Sequence, residues 1–475
     1  MKESRQSEVV LKDVTLEGFK PLITYIYTGQ LRLAELDLDT ILDVLMVANL
    51  YGFERLETEL CLHLEQNLSI ENVCPIYGRA HSLQLKGLAE DCCRFIMREP
   101  SDIINSETFW SIPEPALCEL LNRDTFYIDE IELIKAFIKS PRQHLTPEET
   151  ANILKAIRLP LIESEKILDF VAVLDLFPTG AWIAALKARK HPLKLNFRGI
   201  LRNDVNLATP ECGGLLLKAR TGLDNVTEDI PPYPSDITYQ GTRGLTIALG
   251  KPSFVNNIEF QLAYESESSY YIELSMDLDN WVRVIDHTNC FCFGIQTLYF
   301  EPRVARYVRI VTLLVAAESG RVTLSSLKLS HAAKSLKFHK GFFAPERNVA
   351  SFEKGSLVRR SLLNSQALIR EHADPEELQW TSHEISNGSI EIILPHPFTV
   401  GSMKILLKED QSRAYLYYVE TSVLGDEWDR VADHTEDLCR SWQTISFDPR
   451  PVQRIKITGT FCTVGNVSIR IIFST

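Results

Sequence analysis

The sequence predicts a multidomain protein that is α-helical first and β afterwards, with a helical region followed by two antiparallel β jelly-roll sandwiches. Apolar residues recur at helical spacing up to about residue 190, and strand-like runs that alternate with turn signals follow. The β part also contains an internal repeat, because residues 270–288 align without a gap to residues 417–435, with 11 of 19 positions identical. The order of elements and the repeat together indicate the architecture.

Composition and charge narrow the class of protein. The chain has 475 residues, enough for about three domains, and a formal net charge of −13. No basic stretch is long enough to follow a phosphate backbone, so we expect no nucleic acid among the partners. The longest apolar runs, such as residues 310–317, are far shorter than a membrane span. The ten cysteines contain no CxxC pair, which favours buried thiols in a reducing compartment, so we expect a cytoplasmic protein.

Helix signals follow one another in the first part of the chain. The segment DTILDVLMVANLYG places its apolar residues on one face and stops at Gly52, a common residue at the end of a helix. Ser69 is expected to cap the start of the next helix, SIENVCPIYGRAHSL. Thr146 and Glu149 have the spacing of a capping box at the start of TPEETANILKAI. These signals predict an all-α region.

The β part contains two copies of one unit. Upstream of the aligned segments, FRGILRNDVNLAT resembles HKGFFAPERNVAS, and downstream both copies repeat the dipeptide Gln-Thr. The copies span residues 197–331 and 339–475, which we name the first repeat and the second repeat. Each copy is far longer than one unit of a solenoid, so the duplication predicts two complete domains.

The most strongly repeated motif reads WVRVIDHT in the first repeat and WDRVADHT in the second. Each copy follows a turn signal, DLDN or LGDE, and is expected to open a strand. Because side chains alternate between the two faces of a strand, Trp281, Arg283 and Ile285 are predicted to share one face. A tryptophan just after a tight turn is typical of the end of a sandwich core. The motif therefore predicts a structural core of the repeat that contains Trp281, Tyr271, Arg283, Trp428, Tyr418 and Arg430.

The same motif carries Asp286 beside His287, and Asp433 beside His434. A hydrolase would use such a pair for acid–base catalysis, but neighbours in a strand point to opposite faces and do not readily serve one reacting centre. No GxSxG nucleophile signature and no HxH or HExxH metal signature accompanies either pair. We therefore expect no enzyme, no cofactor and no metal, and His287 and His434 are interpreted as candidate contacts to a client protein.

The β repeats resemble the discoidin domain, also called the coagulation-factor type C domain. The signature lies in SMDLDNW at 275–281 with ARYVRI after it, and in SVLGDEW at 422–428 with PRPVQRIKI after it. The resemblance implies an antiparallel jelly roll whose loops at one end bind lipid headgroups, glycans or proteins. Those loops would lie around residues 223–243 and 363–383, and both are acidic overall, which is a poor match to anionic membranes.

The helical part resembles the second half of a BTB/POZ domain and the BACK domain behind it. LKDVTLEGFKPLITYIYTGQL (11–31) is similar to the strand, helix and Tyr-Thr-Gly turn of BTB, and RDTFYIDEIELIKAFI (123–138) resembles a BACK signature. The resemblance assigns residues 1–68 to BTB and residues 69–190 to BACK. The order of BTB, BACK and two discoidin-like domains resembles the BTB/POZ domain-containing protein 9 family.

This resemblance implies a non-enzymatic adaptor. BTB-BACK proteins commonly hold substrates for cullin-3 ubiquitin ligases, so a cullin-3 type scaffold and an unknown client are the expected partners. The family's hydrophobic-x-Glu contact to cullin would fall on Met1 and Glu3. The chain begins inside the BTB domain, which makes dimerisation doubtful and leaves open a truncated isoform, or an incomplete gene model, that has lost dimerisation and cullin binding. A glycan-binding or lipid-headgroup-binding module is the other alternative.

Overall fold

The structure is a computed structural model in which two compact units, Met1–Ile200 and Leu201–Thr475, follow one another. The described residues are 14–140, 145–162, 176–219, 225–229, 236–240, 244–263, 267–314, 321–359, 369, 381–385, 388–408, 413–464 and 468–470. The first unit is helical and the second consists of antiparallel strands. The predicted order of α and β structure is thus confirmed.

The described part of the first unit contains ten α-helices. They are α1 (Leu16–Thr28), α2 (Leu38–Tyr51), α3 (Glu54–Gln66), α4 (Val73–Ser82), α5 (Lys86–Ile96), α6 (Pro100–Ile104), α7 (Glu114–Asn122), α8 (Glu130–Lys139), α9 (Pro147–Lys155) and α10 (Thr179–Ala188). Their apolar faces meet in one core cluster that runs through the whole unit. Burial of these faces, rather than helix propensity, supplies most of the stability of helices this short.

The observed ends of the helices agree with two of the three capping signals in the sequence. Helix α2 ends at Gly52, which has the left-handed φ of 70° that glycine tolerates best. The capping box is present at α9, where Thr146 Oγ1 accepts from Glu149 N and Glu149 Oε2 accepts from Thr146 N. The prediction that Ser69 caps the next helix is wrong, because α4 begins only at Val73. The Asn72 side chain accepts from Ser69 N and holds the residues before the helix in a turn.

A buried ion pair fixes the end of the helical unit. Arg198 Nε lies 2.6 Å from Glu130 Oε1, and both side chains are almost fully buried. The remaining donors of the guanidinium bond to the carbonyl oxygens of Leu121, Arg123 and Ala156. A buried charge is tolerated only when it is paired and hydrogen-bonded in this way.

The second unit is built from 17 strands among the described residues. The first repeat holds β1 (Leu215–Ala219), β2 (Asn225–Asp229), β3 (Asp236–Gln240), β4 (Leu245–Gln261), β5 (Ser268–Ser275), β6 (Trp281–Cys292), β7 (Ile295–Leu314) and β8 (Arg321–Ser330). The second holds β9 (Phe338–His339), β10 (Phe342–Phe343), β11 (Leu357–Arg359), β12 (Thr381–Ser382), β13 (Ile390–Leu407), β14 (Tyr415–Ser422), β15 (Asp429–Cys439), β16 (Trp442–Cys462) and β17 (Ser468–Arg470), with β9 and β10 forming a separate hairpin.

The two repeats share one pattern of strand pairing. In the first repeat, the long strands β4 and β7 pair with each other, β7 also pairs with β5, and β5 pairs with β6. In the second repeat, β13 and β16 pair, β16 also pairs with β14, and β14 pairs with β15. Both long pairs contain register shifts, and such irregularities bend a strand. Each repeat encloses its own hydrophobic core, the first around Tyr270 and the second around Tyr417.

Candidate functional site

A β-bulge decides which residues of the repeated motif share a face. Strand β6 pairs Ile285 with Ile272 and then Arg283 with Glu273, so one residue of β6 is left over. The same shift occurs in the second repeat. The prediction that Arg283 and Ile285 share a face is therefore wrong, because the bulge turns Arg283 outward while Ile285 stays in the core.

The motif tryptophan lies on the outer face of the first repeat. Trp281 is half-buried, its Nε1 donates to the carbonyl oxygen of Leu278 at 2.7 Å, and the Arg309 guanidinium lies 4.0 Å from the centre of its ring. Arg309 also pairs with Glu273 at 2.6 Å. The prediction that Trp281 and Trp428 plug the core is wrong, since each ring is bound by a cation on the outer surface instead.

The outer face continues from Glu273 through Arg283 to Tyr271. The Arg283 guanidinium lies 3.9 Å from the centre of the Tyr271 ring, 3.5 Å from Glu273 and 3.0 Å from Asp286. Alternating cations, carboxylates and rings thus form a row along this face, which we name the outer ladder. Tyr271 and Arg283 belong to this ladder and not to the core, because alternation puts Tyr271 on the outer face of β5 and the bulge turns Arg283 of β6 to the same face.

The outer ladder is repeated in the second copy. Lys456 lies 4.2 Å from the centre of the Trp428 ring and 2.6 Å from Glu420. Arg430 lies 3.9 Å from the centre of the Tyr418 ring and is exposed, so these two residues are also part of a surface ladder. Two copies with the same contacts indicate that the motif maintains the sheet, since cross-strand pairs of this kind stabilise sheets.

Asp286 and His287 point to opposite faces, as the sequence predicts. Asp286 is exposed and accepts from the backbone and the hydroxyl of Thr288. Although partial burial opposes the effect, the hydrogen bonds from Thr288 and Arg283 lower the pKa of Asp286. His287 is buried, and its desolvation, with the nearby His396, lowers its pKa to about 3. A neutral, enclosed imidazole that faces away from the carboxylate does not form a catalytic pair with it.

His287 belongs to a buried polar cluster. Its Nδ1 lies 3.1 Å from the Tyr270 hydroxyl, which donates to Gln296 Oε1 at 2.6 Å. Rings of the second repeat cover the imidazole, with His396 at 5.8 Å and Phe342 at 6.2 Å between ring centres. The interpretation of His287 as a client contact is therefore wrong, because the second repeat already occupies the surface that a client would need.

The second repeat keeps the same three side-chain types in a more open setting. The Tyr417 and His434 rings are 5.0 Å apart, but His434 is half-exposed. Gln443, the counterpart of Gln296, is also partly exposed. His434 thus stays a candidate client contact, whereas its twin does not.

Three residues of the contact between the repeats were missed by sequence reasoning. Gln296 donates to the carbonyl oxygen of Pro395, and Gln453 donates to that of Phe291 at 2.7 Å. His396 completes the contact. The repeated Gln-Thr dipeptide was a usable signal for Gln296, because a polar residue kept in both copies has a structural reason. The other two have no counterpart of the same type in the first repeat.

The expected ligand and cullin positions lie mostly outside the described residues. Met1 and Glu3 are among the residues that are not described, and so is most of the two loop regions assigned from the discoidin resemblance. The described ranges contain no group of three or more His, Cys, Asp or Glu side chains that could hold a metal ion. None of the helices described is long and apolar enough to cross a membrane. All ten cysteines are free thiols, and seven are buried.

Comparisons with known proteins match a BTB model and a BACK model to the first part of the chain. The family model described as BTB/POZ domain matches residues 1–68, and the model described as BTB And C-terminal Kelch matches residues 73–172. BTB/POZ domain-containing protein 9 of Bos taurus is 33% identical over 484 residues, covering 98% of this chain and 79% of that protein. Human Kelch-like protein 6 is 26% identical over 166 residues, 34% of this chain and 26% of that protein. Among solved structures, CpGH89CBM32-6 of Clostridium perfringens matches 27% of this chain and 97% of its own length, at 14% identity and a TM-score of 0.23.

Proposed function

This chain belongs to the BTB/POZ domain-containing protein 9 family, and from that membership we propose that it joins a cullin-3 ubiquitin ligase to a client protein in the cytosol. Its BTB and BACK domains, shared with kelch-like proteins, are those of a protein-interaction adaptor. In this proposal the helical unit docks the cullin scaffold and the two repeats hold the client. The free thiols support the cytosolic location, because reducing compartments keep cysteines unpaired.

The observation that carries the non-enzymatic part of the proposal is the role of the repeated motif. Each charged residue of the motif has an ion-pair partner: Arg283 pairs with Asp286, Arg430 with Asp433, and Asp429 with Arg450. Burial also raises the pKa of the Cys290 thiol to about 11, so that thiol is not a ready nucleophile. The motif whose residue types resemble a catalytic site therefore supports a structural role instead.

The client side of the proposal depends on the fixed contact between the repeats. Gln296, Pro395 and Gln453 join them by hydrogen bonds through buried groups. Two modules held in one arrangement present a preorganised surface, which lowers the entropic cost of binding a client. His434 lies on the second module and remains available to such a client.

The proposal is tested by capture of cullin-3 with the full chain. The tagged chain should retain purified cullin-3, and Glu3→Lys should weaken retention by about tenfold or more, as expected for an anchor residue. Glu346→Lys is the matched control, since it makes the same charge change at an exposed site in the second repeat. No retention by the unmutated chain, or equal retention by the Glu3→Lys chain, overturns the cullin part of the proposal.

The client part has a separate readout. Proteins that are captured with the chain in cells should be lost when the second repeat is altered, and they should become ubiquitinated when cullin-3 is active. Binding to glycan or lipid-headgroup arrays without any ubiquitinated client would instead favour a carbohydrate- or lipid-binding module. That result contradicts the adaptor proposal.

A further inference from the structure

The two repeats contain equivalent turns, of which one is covered and the other is exposed. The turn of residues 290–296, between β6 and β7, is the first tip, and the turn of residues 437–443, between β15 and β16, is the second tip. Positions correspond at a constant offset, as Cys292 does to Cys439. In the first tip Leu262 N donates to the carbonyl oxygen of Gly294 at 2.8 Å, and in the second Leu407 N donates to that of Ser441 at 3.0 Å. The chain therefore builds the same tip twice.

The first tip is covered by a proline-containing segment of the second repeat. The carbonyl oxygen of Pro395 accepts from Phe293 N at 3.2 Å and from Gln296 Nε2 at 3.2 Å. The next ring along, that of His396, faces His287. Both Phe293 and Gln296 are buried as a result. This contact shows what kind of ligand the tip accepts: an irregular stretch of chain with an available carbonyl oxygen, followed by a ring.

At the second tip, exposed apolar side chains occupy the surface that the Pro395 segment covers at the first tip. Trp442 and Leu438, the counterparts of Ile295 and Phe291, are 50% and 58% exposed. Phe461 is 47% exposed and lies at the same end of the sheet, because Tyr415 pairs with both Cys439 and Cys462. Large apolar side chains gathered at one end of a domain are typical of a protein-binding surface.

A buried hydroxyl below the second tip gives an independent sign of an incomplete site. In the first repeat the Tyr270 hydroxyl contacts both Gln296 and His287. The equivalent Tyr417 hydroxyl is buried, yet it has no hydrogen-bond partner within the part of the chain that the structure describes. An unpaired buried hydroxyl destabilises a domain unless a partner satisfies it. Gln443 Nε2 already donates to the carbonyl oxygens of Arg440 and Trp442, as Gln296 Nε2 does to those of Phe293 and Ile295. The second tip therefore has the amide in place, and what it lacks is a covering carbonyl oxygen like that of Pro395.

We infer that the second tip binds an extended, proline-containing segment of a separate client protein, in the way that the first tip holds Pro395 and His396. The inference rests on the proposed function and names the client-binding surface and the chemistry of the bound segment. Glu436 and Asp437 are exposed at the edge of the tip, where the first repeat has Asn289 and Cys290. These two carboxylates outnumber the exposed guanidinium of Arg440 in the same turn. This change favours a client segment with a basic residue next to its proline.

A second copy of this chain does not offer its covering segment around Pro395 or the corresponding segment of its first repeat. Its Pro395 is already engaged in its own first tip. The corresponding position in the first repeat is Gly250, where a Cβ would lie 2.0 Å from the carbonyl oxygen of Cys212. No proline fits there, and the glycine is packed against its own repeat. Because neither segment is free in a second copy, we take a different protein as the occupant.

The test uses the chain's own covering segment as the probe. A fluorescent peptide with the sequence ILPHPFTV, residues 393–400, is titrated against the full chain and followed by anisotropy. Because the first tip is filled within the chain, binding reports the second tip. The unmutated chain should bind, and Trp442→Glu and Leu438→Glu should each weaken binding by about tenfold or more. Replacing both prolines of the peptide by alanine should weaken it similarly.

The controls separate this inference from the proposed function. Leu62→Glu, at a leucine 52% exposed on α3, should bind the peptide normally. No binding to the unmutated chain, or equal binding to the two tip variants, overturns the inference. If the tip variants still capture and ubiquitinate the client, the adaptor proposal stands and this surface is wrong. If the chain self-associates at high concentration and Trp442→Glu abolishes it, a second copy is the occupant, and the inference is overturned.

Discussion

Lowering the pH should destabilise the contact between the two repeats through two buried histidines. Burial lowers the pKa of His396 to about 4, and burial together with His396 lowers the pKa of His287 to about 3, both from 6.5. The folded protein therefore binds fewer protons than the unfolded chain between these values. The stability that follows is fully present above about pH 6.5 and is lost as the pH falls toward the folded values.

The magnitude follows from the size of the shifts. Each pH unit below 6.5 costs about 1.4 kcal/mol for each imidazole that stays neutral. At about pH 5, His287 and His396 each lose about 2 kcal/mol, so the pair loses about 4 kcal/mol relative to neutral pH. The groups around them do not offset this loss, since Tyr270 and Cys292 stay neutral there, and only Asp286 acts to raise the pKa of His287.

The assay is hydrogen exchange of peptides from β5 and β13, measured at about pH 7.5 and about pH 5 and corrected for the intrinsic exchange rate. Protection in the unmutated chain should fall by about a thousandfold more than in a chain with both His287→Asn and His396→Asn. His434→Asn is the matched control and should keep the full pH dependence, because His434 is half-exposed. Equal loss of protection in the unmutated and doubly substituted chains would refute the reasoning.

Three further predictions concern stability at neutral pH and are measured by urea unfolding. Arg198→Met should cost about 3–5 kcal/mol, because it leaves the buried Glu130 carboxylate without its cation, and adding Glu130→Leu should recover most of the loss; a double variant no more stable than the single one contradicts this account. Tyr270→Phe should cost about 1–3 kcal/mol, since it strips a partner from buried groups, whereas Tyr417→Phe should be neutral or stabilising; equal losses would show that the two hydroxyls have the same surroundings. Thr146→Ala should cost about 1 kcal/mol by removing the cap of α9, and an unchanged midpoint would count against the capping box.

Local sequence patterns predicted the helix ends correctly where contacts within a few residues determine them. The capping box at Thr146 and the stop at Gly52 are formed within a few residues, so sequence spacing alone defines them. The prediction at Ser69 was wrong because the Asn72 side chain accepts from Ser69 N and holds these residues in a turn, so that the helix begins only at Val73. Serine and asparagine both bond readily to nearby backbone groups outside a helix, so the spacing alone does not mark where the helix begins.

The candidate site was predicted only in part for a similar reason. Alternation separated Asp286 from His287 correctly, but the bulge moved Arg283 to the outer face and took Trp281 out of the expected core. A single extra residue reverses the face of every side chain beyond it, and nothing in the alternation itself marks where it falls. The sequence therefore predicted which residues belong together and misplaced the surface that they form.

The sequence by itself determined that this protein is an α-helical region followed by a duplicated β unit, because periodicity and repetition are properties of the chain. Only the tertiary structure decided that the two copies are not equivalent. Gln296 bonds to Pro395, which lies 99 residues away in the sequence, and Gln453 bonds to Phe291, which lies 162 residues away. Contacts at such separation depend on how two finished domains meet, which no local rule specifies. That meeting buries His287, whereas His434, its twin in sequence, is half-exposed.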